Sequence, residues 1–268
     1  MNPAAMIDVA RYPLETPASA AYAAAVTLAQ TGLRAAGAAE LPGFLSTTGL
    51  EACVADAERL GEKAFWSEGQ GSAYLEASGA AWPADHPRAQ RMPFRVGVVA
   101  YDQFPVHSPL RQLYEWPPLL EFIRTVLGTR QLFHYADPLG ALNLAVMGDG
   151  DVLQWHYDQT DFVVSLALRP AAEGGHFEVA PRLRSDHDEC YSEVASVLNG
   201  TSSVVEVLAL HAATLLLFEG RHSLHRVSPI VGAPSRLVAL LGFDNAPGTC
   251  STPELQLKRY GRVVPTRL

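Results

Sequence analysis

The stretch LQWHYDQTDFVVSLALR, residues 153–169, joins a cluster of polar side chains to a run of residues typical of a β-strand. The run from Val163 to Leu168 is rich in Val and Leu, which predicts a strand. In an extended segment alternate side chains share a face, so His156 and Asp158 would point to the same side. That spacing suits two ligands that hold one metal ion at the end of a strand.

Short apolar runs with turn residues between them continue on both sides of this stretch, from residue 130 onward. They are QLFHYA, ALNLAVM, FVVSLALR, GHFEVA, SVVEVLAL, TLLLFEG, HRVSPIV and RLVALLGF, with one helical excursion at DECYSEVASVL. About eight short strands predict a mainly β fold, a cupin-like jelly roll or double-stranded β-helix, whose mouth accepts a small ligand. A doubly wound parallel sheet would need a helix between most strands.

The N-terminal third is predicted to be mostly helical. Ser19 to Gln30 is rich in Ala, and Thr47 to Ala64 has apolar residues at helical spacing, with the short strand AAELPGFL between them. The passage from Gly69 to Pro93 is rich in Pro, Gly and Ser and is predicted to be a loop. We therefore expect residues 1–92 to form a helical lobe and loop that pack on a catalytic core, residues 93–268, as one structural unit.

Composition restricts the partners of this chain of 268 residues. The net charge of −8 offers no basic field for nucleic acid or anionic lipid. The Ala-rich stretch is too polar and interrupted for a membrane span, and the first residues lack the pattern of a secretory signal. Three widely spaced cysteines suggest neither a disulfide framework nor a zinc ribbon. We expect a cytoplasmic protein with no nucleic-acid or membrane partner; its oligomeric state stays open.

A third metal ligand is expected from FEGRHSLHRVSP, where His222 and His225 compete. Three residues apart on one strand, they would face opposite sides. We favour His225, because Arg236 lies eleven residues further on and opens the next strand after a turn. His156, Asp158 and His225 would then form a 2-His-1-carboxylate triad, which leaves three positions open and is typical of non-heme Fe(II) oxygenases.

Arg236 is the candidate anchor for a second molecule at this site. Alternation with Val238 and Leu240 would aim its guanidinium into the barrel. A fixed guanidinium binds a carboxylate through two hydrogen bonds, which is what the distal carboxylate of a 2-oxo diacid requires. The 2-oxo acid end would chelate the metal and leave one position for O2. A structural salt bridge is the alternative role for Arg236.

These residues carry a resemblance to a known family. HYD at 156–158, followed by HRVSPIVGAPSR at 225–236, resembles the HxD…H…R signature of iron and 2-oxoglutarate-dependent dioxygenases. The runs YADPLGALNLAVM, WHYDQTDFVVSLAL, EGGHFEVAPRLRS and LLLFEGRHSLHRVSP resemble one subgroup, the small enzymes that hydroxylate or halogenate unactivated carbons of free amino acids. The resemblance spans roughly residues 93–248. It implies Fe(II), 2-oxoglutarate and O2 at the site and a small-molecule substrate, an amino acid or a close derivative.

Asp158 separates two reactions within that subgroup. The halogenating members that this pattern resembles replace the metal-binding carboxylate with Gly or Ala, which opens a coordination place for chloride. Asp158 fills that place here, so the resemblance implies hydroxylation, or desaturation, with release of succinate and CO2. The alternatives are an oxygenase for a larger or carrier-bound intermediate and a non-catalytic cupin-like metal-binding module. Arg236 argues against the second, because a binding module needs no 2-oxoglutarate anchor.

Further polar residues are candidates for contacts within the site. Asn143 lies in an apolar strand, where a buried amide needs partners; it would face 2-oxoglutarate or be a satisfied core amide. The other candidates lie at strand edges or in turns, where polar residues are common, so a structural role explains their presence equally well. The residues that we consider for substrate contacts are Arg95, His134, Asp137, Gln159 and Asp161.

Overall fold

The computed structural model describes residues 2–75, 82–208 and 210–265. The helices are α1 (Ala20–Ala36), α2 (Thr47–Gly61), α3 (Pro109–Tyr114), α4 (Pro117–Leu127), α5 (Tyr191–Leu198) and α6 (Pro253–Tyr260). The strands are β1 (Ala38–Leu41), β2 (Phe65–Gly71), β3 (Met92–Val99), β4 (Phe133–His134), β5 (Leu142–Met147), β6 (Leu153–His156), β7 (Val163–Arg169), β8 (Glu173–Gly174), β9 (Phe177–Ala180), β10 (Glu206–Leu208), β11 (Thr214–Phe218), β12 (Leu224–Val227), β13 (Ile230–Val231), β14 (Arg236–Leu241) and β15 (Phe243–Asp244). Within these ranges, none of the helices has the length and apolar character that a membrane span requires.

Two antiparallel sheets form the core of the fold. The major sheet has the order β1-β11-β7-β14-β5-β3-β2, and the minor sheet has the order β10-β9-β12-β6. Strands distant in sequence lie side by side in both sheets, and apolar side chains from the two, such as Phe177 and Phe218, are in contact. This arrangement confirms the predicted jelly-roll fold.

The two faces of the major sheet have different neighbours. Alternate residues of its central strands, such as Leu144, Leu166 and Ala239, are fully buried in one cluster with residues of α1 to α4. Burial of each large apolar side chain stabilises the fold by about 1.5–3 kcal/mol. The opposite face, which includes Leu216 and Phe218, looks toward the minor sheet. Residues in register with that second face therefore line the space between the sheets.

The N-terminal segment contributes strands as well as the predicted helices α1 and α2. β1 pairs with β11, as an edge strand of the major sheet. β2 pairs with β3 along seven residues and forms the other edge. We did not predict β2, because its sequence FWSEGQG is mostly exposed and lacks an apolar alternation. Of the predicted loop at 69–93, residues 76–81 lie outside the described ranges.

Helix α6, also absent from our prediction, is fixed to the barrel by buried polar contacts. The carboxylate of Asp137 is fully buried and accepts hydrogen bonds from the backbone N–H of Leu139 (2.8 Å), the backbone N–H of Ser251 (2.9 Å) and Nε2 of Gln256 (3.0 Å). Burial alone would raise the pKa of Asp137, but hydrogen bonds from Ser251 and from the backbone N–H groups of Leu139 and Gly140 lower it. Gln256 belongs to α6, so Asp137 joins the loop after β4 to the C-terminal helix.

The substitution Asp137→Ala is expected to lower the free energy of unfolding by about 3 kcal/mol, since it leaves three buried donors without an acceptor. Chemical denaturation measures this change. Asp161→Ala, which removes an exposed carboxylate, is the matched control and should change stability by about 0.5 kcal/mol or less. Equal stability of the two variants would contradict the anchoring role of Asp137.

Candidate functional site

The pairing of β6 with β12 brings two histidines face to face. His156 is the last residue of β6 and lies opposite His225 of β12 in the antiparallel register. Directly opposed residues of an antiparallel pair share a face, and the two imidazole centroids are 4.2 Å apart. Both side chains are buried.

Each of these histidines is oriented by a hydrogen bond to its own strand. Nδ1 of His156 lies 2.8 Å from the carbonyl oxygen of Gln154, and Nδ1 of His225 lies 2.9 Å from the carbonyl oxygen of Ser223. A carbonyl only accepts, so each Nδ1 carries the proton and each Nε2 presents a lone pair. A backbone carbonyl behind the ring is the usual arrangement for a metal-binding histidine.

Asp158 completes the cluster from the loop that follows β6. Its Oδ2 lies 3.1 Å from Nε2 of His225, and its Oδ1 lies 3.9 Å from Nε2 of His156. Ligand atoms of all three residues lie within 4.8 Å of one another. Bonds of about 2.1 Å at right angles place two ligand atoms about 3 Å apart. The three residues can therefore hold one metal ion with little rearrangement.

The electrostatics of the cluster also suit a cation. Burial lowers the pKa of His156 to about 4, so this ring is neutral near pH 7 and its lone pair is available. Burial alone would raise the pKa of Asp158, but its contacts with His225 and His156 lower it to about 2. A neutral imidazole and an ionised carboxylate are the ligand forms that a divalent cation requires.

Gly220 gives Asp158 the space that it occupies. Its carbonyl accepts a hydrogen bond from the backbone N–H of Asp158 at 3.0 Å. A Cβ atom at position 220 would lie only 2.4 Å from Oδ2 of Asp158. Only glycine therefore fits here without displacing the carboxylate, and we did not single this residue out in the sequence FEGRH.

His222, the alternative third ligand, points elsewhere. Its Nε2 lies 3.1 Å from Oδ1 of Asp186, at the surface. The choice of His225 as third ligand agrees with the cluster. The argument that His222 and His225 lie on one strand and face opposite sides does not hold, since His222 lies in the turn before β12.

Arg236 opens β14 and lies on the face of the major sheet that looks toward the minor sheet. It is paired with Met147, whereas its neighbour Leu237 belongs to the helix-covered cluster. The side chain lines a cavity of about 150 Å³ together with Phe177, and the Phe177 ring lies 5.5 Å from that of His225. Phe177 therefore lies between the cavity that Arg236 lines and the ring of His225.

The guanidinium of Arg236 is buried, and among the described residues no carboxylate or other acceptor binds it. Burial lowers its pKa to about 10, so it keeps its positive charge near pH 7. An unpaired buried cation is costly. Within the described ranges, no carboxylate supports the salt-bridge alternative for Arg236.

Asn143 does not turn its amide toward this cavity. Its Nδ2 donates to the carbonyl oxygens of Leu139 and Leu142 at 2.8 and 2.9 Å, and its Oδ1 accepts from the hydroxyl of Tyr260 at 2.8 Å. These bonds correspond to the satisfied core amide that we kept as the alternative. They leave the amide N–H groups no free direction for 2-oxoglutarate.

Three of the predicted substrate residues have structural partners instead. Asp137 is the buried anchor of α6 described above. His134 packs edge-on against Tyr114, and its Nε2 lies 2.9 Å from the carbonyl oxygen of that residue. Arg95 is half exposed, pairs with Asp151 and lies over the ring of Trp66.

The last two predicted substrate residues lie beyond Asp158 at the surface. Gln159 is exposed, and Asp161 is exposed and paired with Arg221. The structure therefore brings together the predicted metal ligands and gives Arg236 a cavity, but it does not gather the five predicted substrate residues around the metal cluster.

Other groups that we did not predict lie close to Asp158. Burial raises the pKa of Tyr135 to about 12; Asp244 and Asp158 add to this effect, and a hydrogen bond with Thr160 opposes it. The charge of Arg259, on α6, lowers the pKa of both His156 and Asp158. Alternation is no signal for Tyr135, because it places this residue on the face opposite His134, the predicted substrate residue. Arg259 has no local signal, since tertiary packing of α6 brings it here.

Comparison with protein families identifies the relatives of this chain. A family model described as Halogenase D matches residues 85–252, more than half of the sequence. The chain belongs to the Halogenase D family. The matched segment of this Halogenase D family member includes all three residues of the metal cluster and Arg236. A comparison with curated proteins found no match.

Solved structures share the fold of this family member at low sequence identity. An oxidoreductase of the 2OG-Fe(II) oxygenase family from Burkholderia pseudomallei has 16% identity and a TM-score of 0.54, with 84% of this chain and 92% of that chain covered. The epimerase SnoN, in complex with Fe3+, alpha ketoglutarate and nogalamycin RO, has 16% identity and a TM-score of 0.57, covering 83% and 84%. A prolyl hydroxylase from Trichoplax adhaerens, in complex with a peptide fragment, has 14% identity and a TM-score of 0.52, covering 84% and 90%. The fold is that of the 2-oxoglutarate oxygenases.

The substitution Gly220→Ala is expected to weaken Fe(II) affinity about tenfold or more, because the new methyl group displaces the Asp158 carboxylate. Anaerobic titration calorimetry measures the affinity. Gly61→Ala, where the nearest atom beyond the helix is 3.7 Å from the added Cβ, is the control and should bind as the wild type does. Unchanged affinity in Gly220→Ala would show that Asp158 does not bind the metal in this geometry.

Proposed function

We propose that the protein is an Fe(II)- and 2-oxoglutarate-dependent dioxygenase that hydroxylates an unactivated C–H bond of a free amino acid or a close derivative. One C–H bond, one O2 and one 2-oxoglutarate give one alcohol, one succinate and one CO2. This proposal differs from the reaction that the family name suggests, and the difference rests on Asp158.

The observation that carries the proposal is the three-residue cluster of His156, Asp158 and His225. Two imidazoles and one carboxylate, with ligand atoms within 4.8 Å, are the donor set of a facial triad. Asp158 is held by Gly220 against both imidazoles, so a carboxylate takes the place that chloride would need. The three residues would hold Fe(II), which together with 2-oxoglutarate would supply the activation of O2.

The protein's own residues orient these components. The carbonyls behind the two histidines keep each Nε2 toward the ion and each Nδ1 protonated. Phe177 and Phe218 pack against the ring of His225 and exclude water from that side. A dry, fixed set of ligands favours transfer of oxygen to the substrate over side reactions.

Arg236 is the proposed anchor for the distal carboxylate of 2-oxoglutarate. Its guanidinium is buried in a cavity and has no carboxylate partner among the described residues. An incoming carboxylate would satisfy that charge through two parallel hydrogen bonds. This unpaired cation also favours an oxygenase over a non-catalytic metal-binding module, which has no use for it.

The substrate class is supported by the sequence resemblance to enzymes that act on free amino acids. Solved structures with this fold are bound to more than one type of molecule: SnoN to nogalamycin RO, and a prolyl hydroxylase to a peptide fragment. Larger or carrier-bound substrates are therefore included in the experiment.

The first test of the proposal is turnover with defined components. With Fe(II), 2-oxoglutarate, air and chloride, we expect at least one of the twenty protein amino acids to stimulate succinate release and to gain one oxygen atom by mass. Asp158→Gly should abolish hydroxylation, whereas Asp161→Asn should not. Full hydroxylation by Asp158→Gly would refute the ligand assignment. Succinate release stimulated only by larger metabolites would refute the amino-acid substrate.

The substitution Arg236→Gln should raise the KM for 2-oxoglutarate about 100-fold, because it removes the partner of the distal carboxylate. Without 2-oxoglutarate, the variant should be as stable as the wild type or more so, because the substitution removes an unpaired buried charge. Arg262→Gln, which breaks an ion pair with Asp102 at the surface, is the control. A KM within about twofold of the wild type would refute the anchor.

A further inference from the structure

Arg259, in the last turn of α6, is a cation close to the metal cluster. Burial is the largest influence on the pKa of His156, Asp158 and Tyr135, and the charge of Arg259 acts on each of them. In the part of the chain that the structure describes, its guanidinium has no hydrogen bond and no ion pair, and Cζ lies 5.9 Å from the ring of Tyr260. Its N–H donors are therefore available to an anion.

A buried hydrogen bond fixes the turn that carries Arg259. The hydroxyl of Tyr260 donates to Oδ1 of Asn143 at 2.8 Å. Leu142 and Leu144, on either side of Asn143 in β5, belong to the helix-covered cluster. Asn143 therefore lies on the opposite face of the major sheet, the face that looks toward the minor sheet. The last turn of α6 reaches the edge of the space between the two sheets.

The contacts of Lys258 connect the same turn to the strand of His156. Nζ of Lys258 lies 5.1 Å from the centre of the Phe94 ring. A Cβ atom at Gly71 would lie 3.8 Å from that ring and 2.5 Å from Nε2 of Gln154, which precedes His156 by two residues in β6. One aromatic ring and one short segment therefore separate the end of α6 from β6.

The metal cluster is open to solvent on one side. The side chain of Asp158 is 26% exposed, whereas those of His156 and His225 are 10% and 5% exposed. Tyr135 and Arg259, whose environments include Asp158, are partly exposed as well. A molecule that enters from solvent therefore reaches the cluster past Asp158, on the side of the Arg259 guanidinium.

The charges of the filled site leave Arg259 without a counter-ion. Two positive charges would enter with Fe(II), of which Asp158 offsets one and the chelating carboxylate of 2-oxoglutarate the other. The distal carboxylate of 2-oxoglutarate is assigned to Arg236. Arg259 would then keep its charge beside a site with no anion left to pair with it. A carboxylate satisfies a guanidinium through two parallel hydrogen bonds.

We propose that Arg259, the partly exposed cation at the open side of the cluster, binds the carboxylate of the amino-acid substrate. This role rests on the proposed function, because it names the group by which the protein holds that substrate. It is distinct from the role of Arg236, which lies in a buried cavity and receives the cosubstrate. A substrate held by its carboxylate presents a carbon further along its chain to the metal.

The helix dipole is a second reason for basic residues at this position. Lys258 and Arg259 both lie in the last turn of α6, where positive charge stabilises a helix. Lys258 places its ammonium over Phe94 rather than toward the cluster ligands. Lys258→Gln is therefore the matched control, since it removes the same charge from the helix end and leaves Arg259 in place.

The test compares each amino acid that stimulates the wild type with its α-carboxamide, which keeps the shape and removes the negative charge. The wild type should prefer the amino acid by about tenfold or more in kcat/KM. In Arg259→Gln this preference should fall to about twofold or less, through a higher KM for the amino acid, whereas Lys258→Gln should keep it. Arg259→Lys retains the charge without the two parallel donors and should show a preference of about threefold to fivefold.

Two measurements without turnover separate substrate binding from a structural role. In anaerobic titration calorimetry with Fe(II) and 2-oxoglutarate, Arg259→Gln should bind the amino acid about tenfold more weakly and its carboxamide as the wild type does. The variant should bind Fe(II) as tightly as the wild type or more tightly, because a like charge near the ion is removed. Its melting temperature should change as little as that of Lys258→Gln.

Each outcome decides the assignment. An undiminished preference in Arg259→Gln would overturn it, and so would equal weakening of amino-acid and carboxamide binding, which is the result of structural damage. If Arg259→Gln does not fold, Arg259→Lys decides, and a preference equal to that of the wild type would overturn the assignment. All of these results leave amino-acid turnover by the wild type in place. Absence of any metal-dependent 2-oxoglutarate turnover in the wild type would instead refute the proposed function itself.

Discussion

The antiparallel register between β6 and β12 is the constraint on which the site depends. It places His156 opposite His225, and the loop after β6 then carries Asp158 toward both rings. The two strands belong to the minor sheet, whose apolar residues pack against the major sheet. A shift of one residue in this register would turn one histidine away from the other. The strand pairing that stabilises the jelly roll therefore also sets the geometry of the cluster.

Much of the fold and the centre of the site follow from local sequence. Alternation and apolar runs predict most of the strands, and the spacing of His156 and Asp158 predicts that they share a metal ion. The parts that were missed depend on tertiary contacts. β2 is a mostly exposed edge strand that exists through pairing with β3. Helix α6 is held by Asp137 and Asn143, residues from distant segments.

Asp137, predicted to contact substrate, and Asn143, predicted to face 2-oxoglutarate, illustrate the same limit. Asp137 and Asn143 are polar residues in apolar surroundings, a pattern common to binding sites and to buried structural anchors. Only their hydrogen-bond partners distinguish the two roles, and here those partners are groups of the protein itself.

Family membership and the residues of the site lead to different reactions. The chain belongs to the Halogenase D family, yet a carboxylate completes the cluster and Gly220 leaves space for it. A carboxylate at the metal and a chloride at the same place exclude each other. Under the proposed function, the identity of this single ligand decides between oxygen and halogen transfer.

The most direct measurement is the fate of isotopically labelled O2 in a reaction that contains excess chloride. The account predicts one labelled oxygen atom in the product, one in succinate and no chlorinated product. A chlorinated product, or a hydroxylated product that takes its oxygen from water, would contradict it.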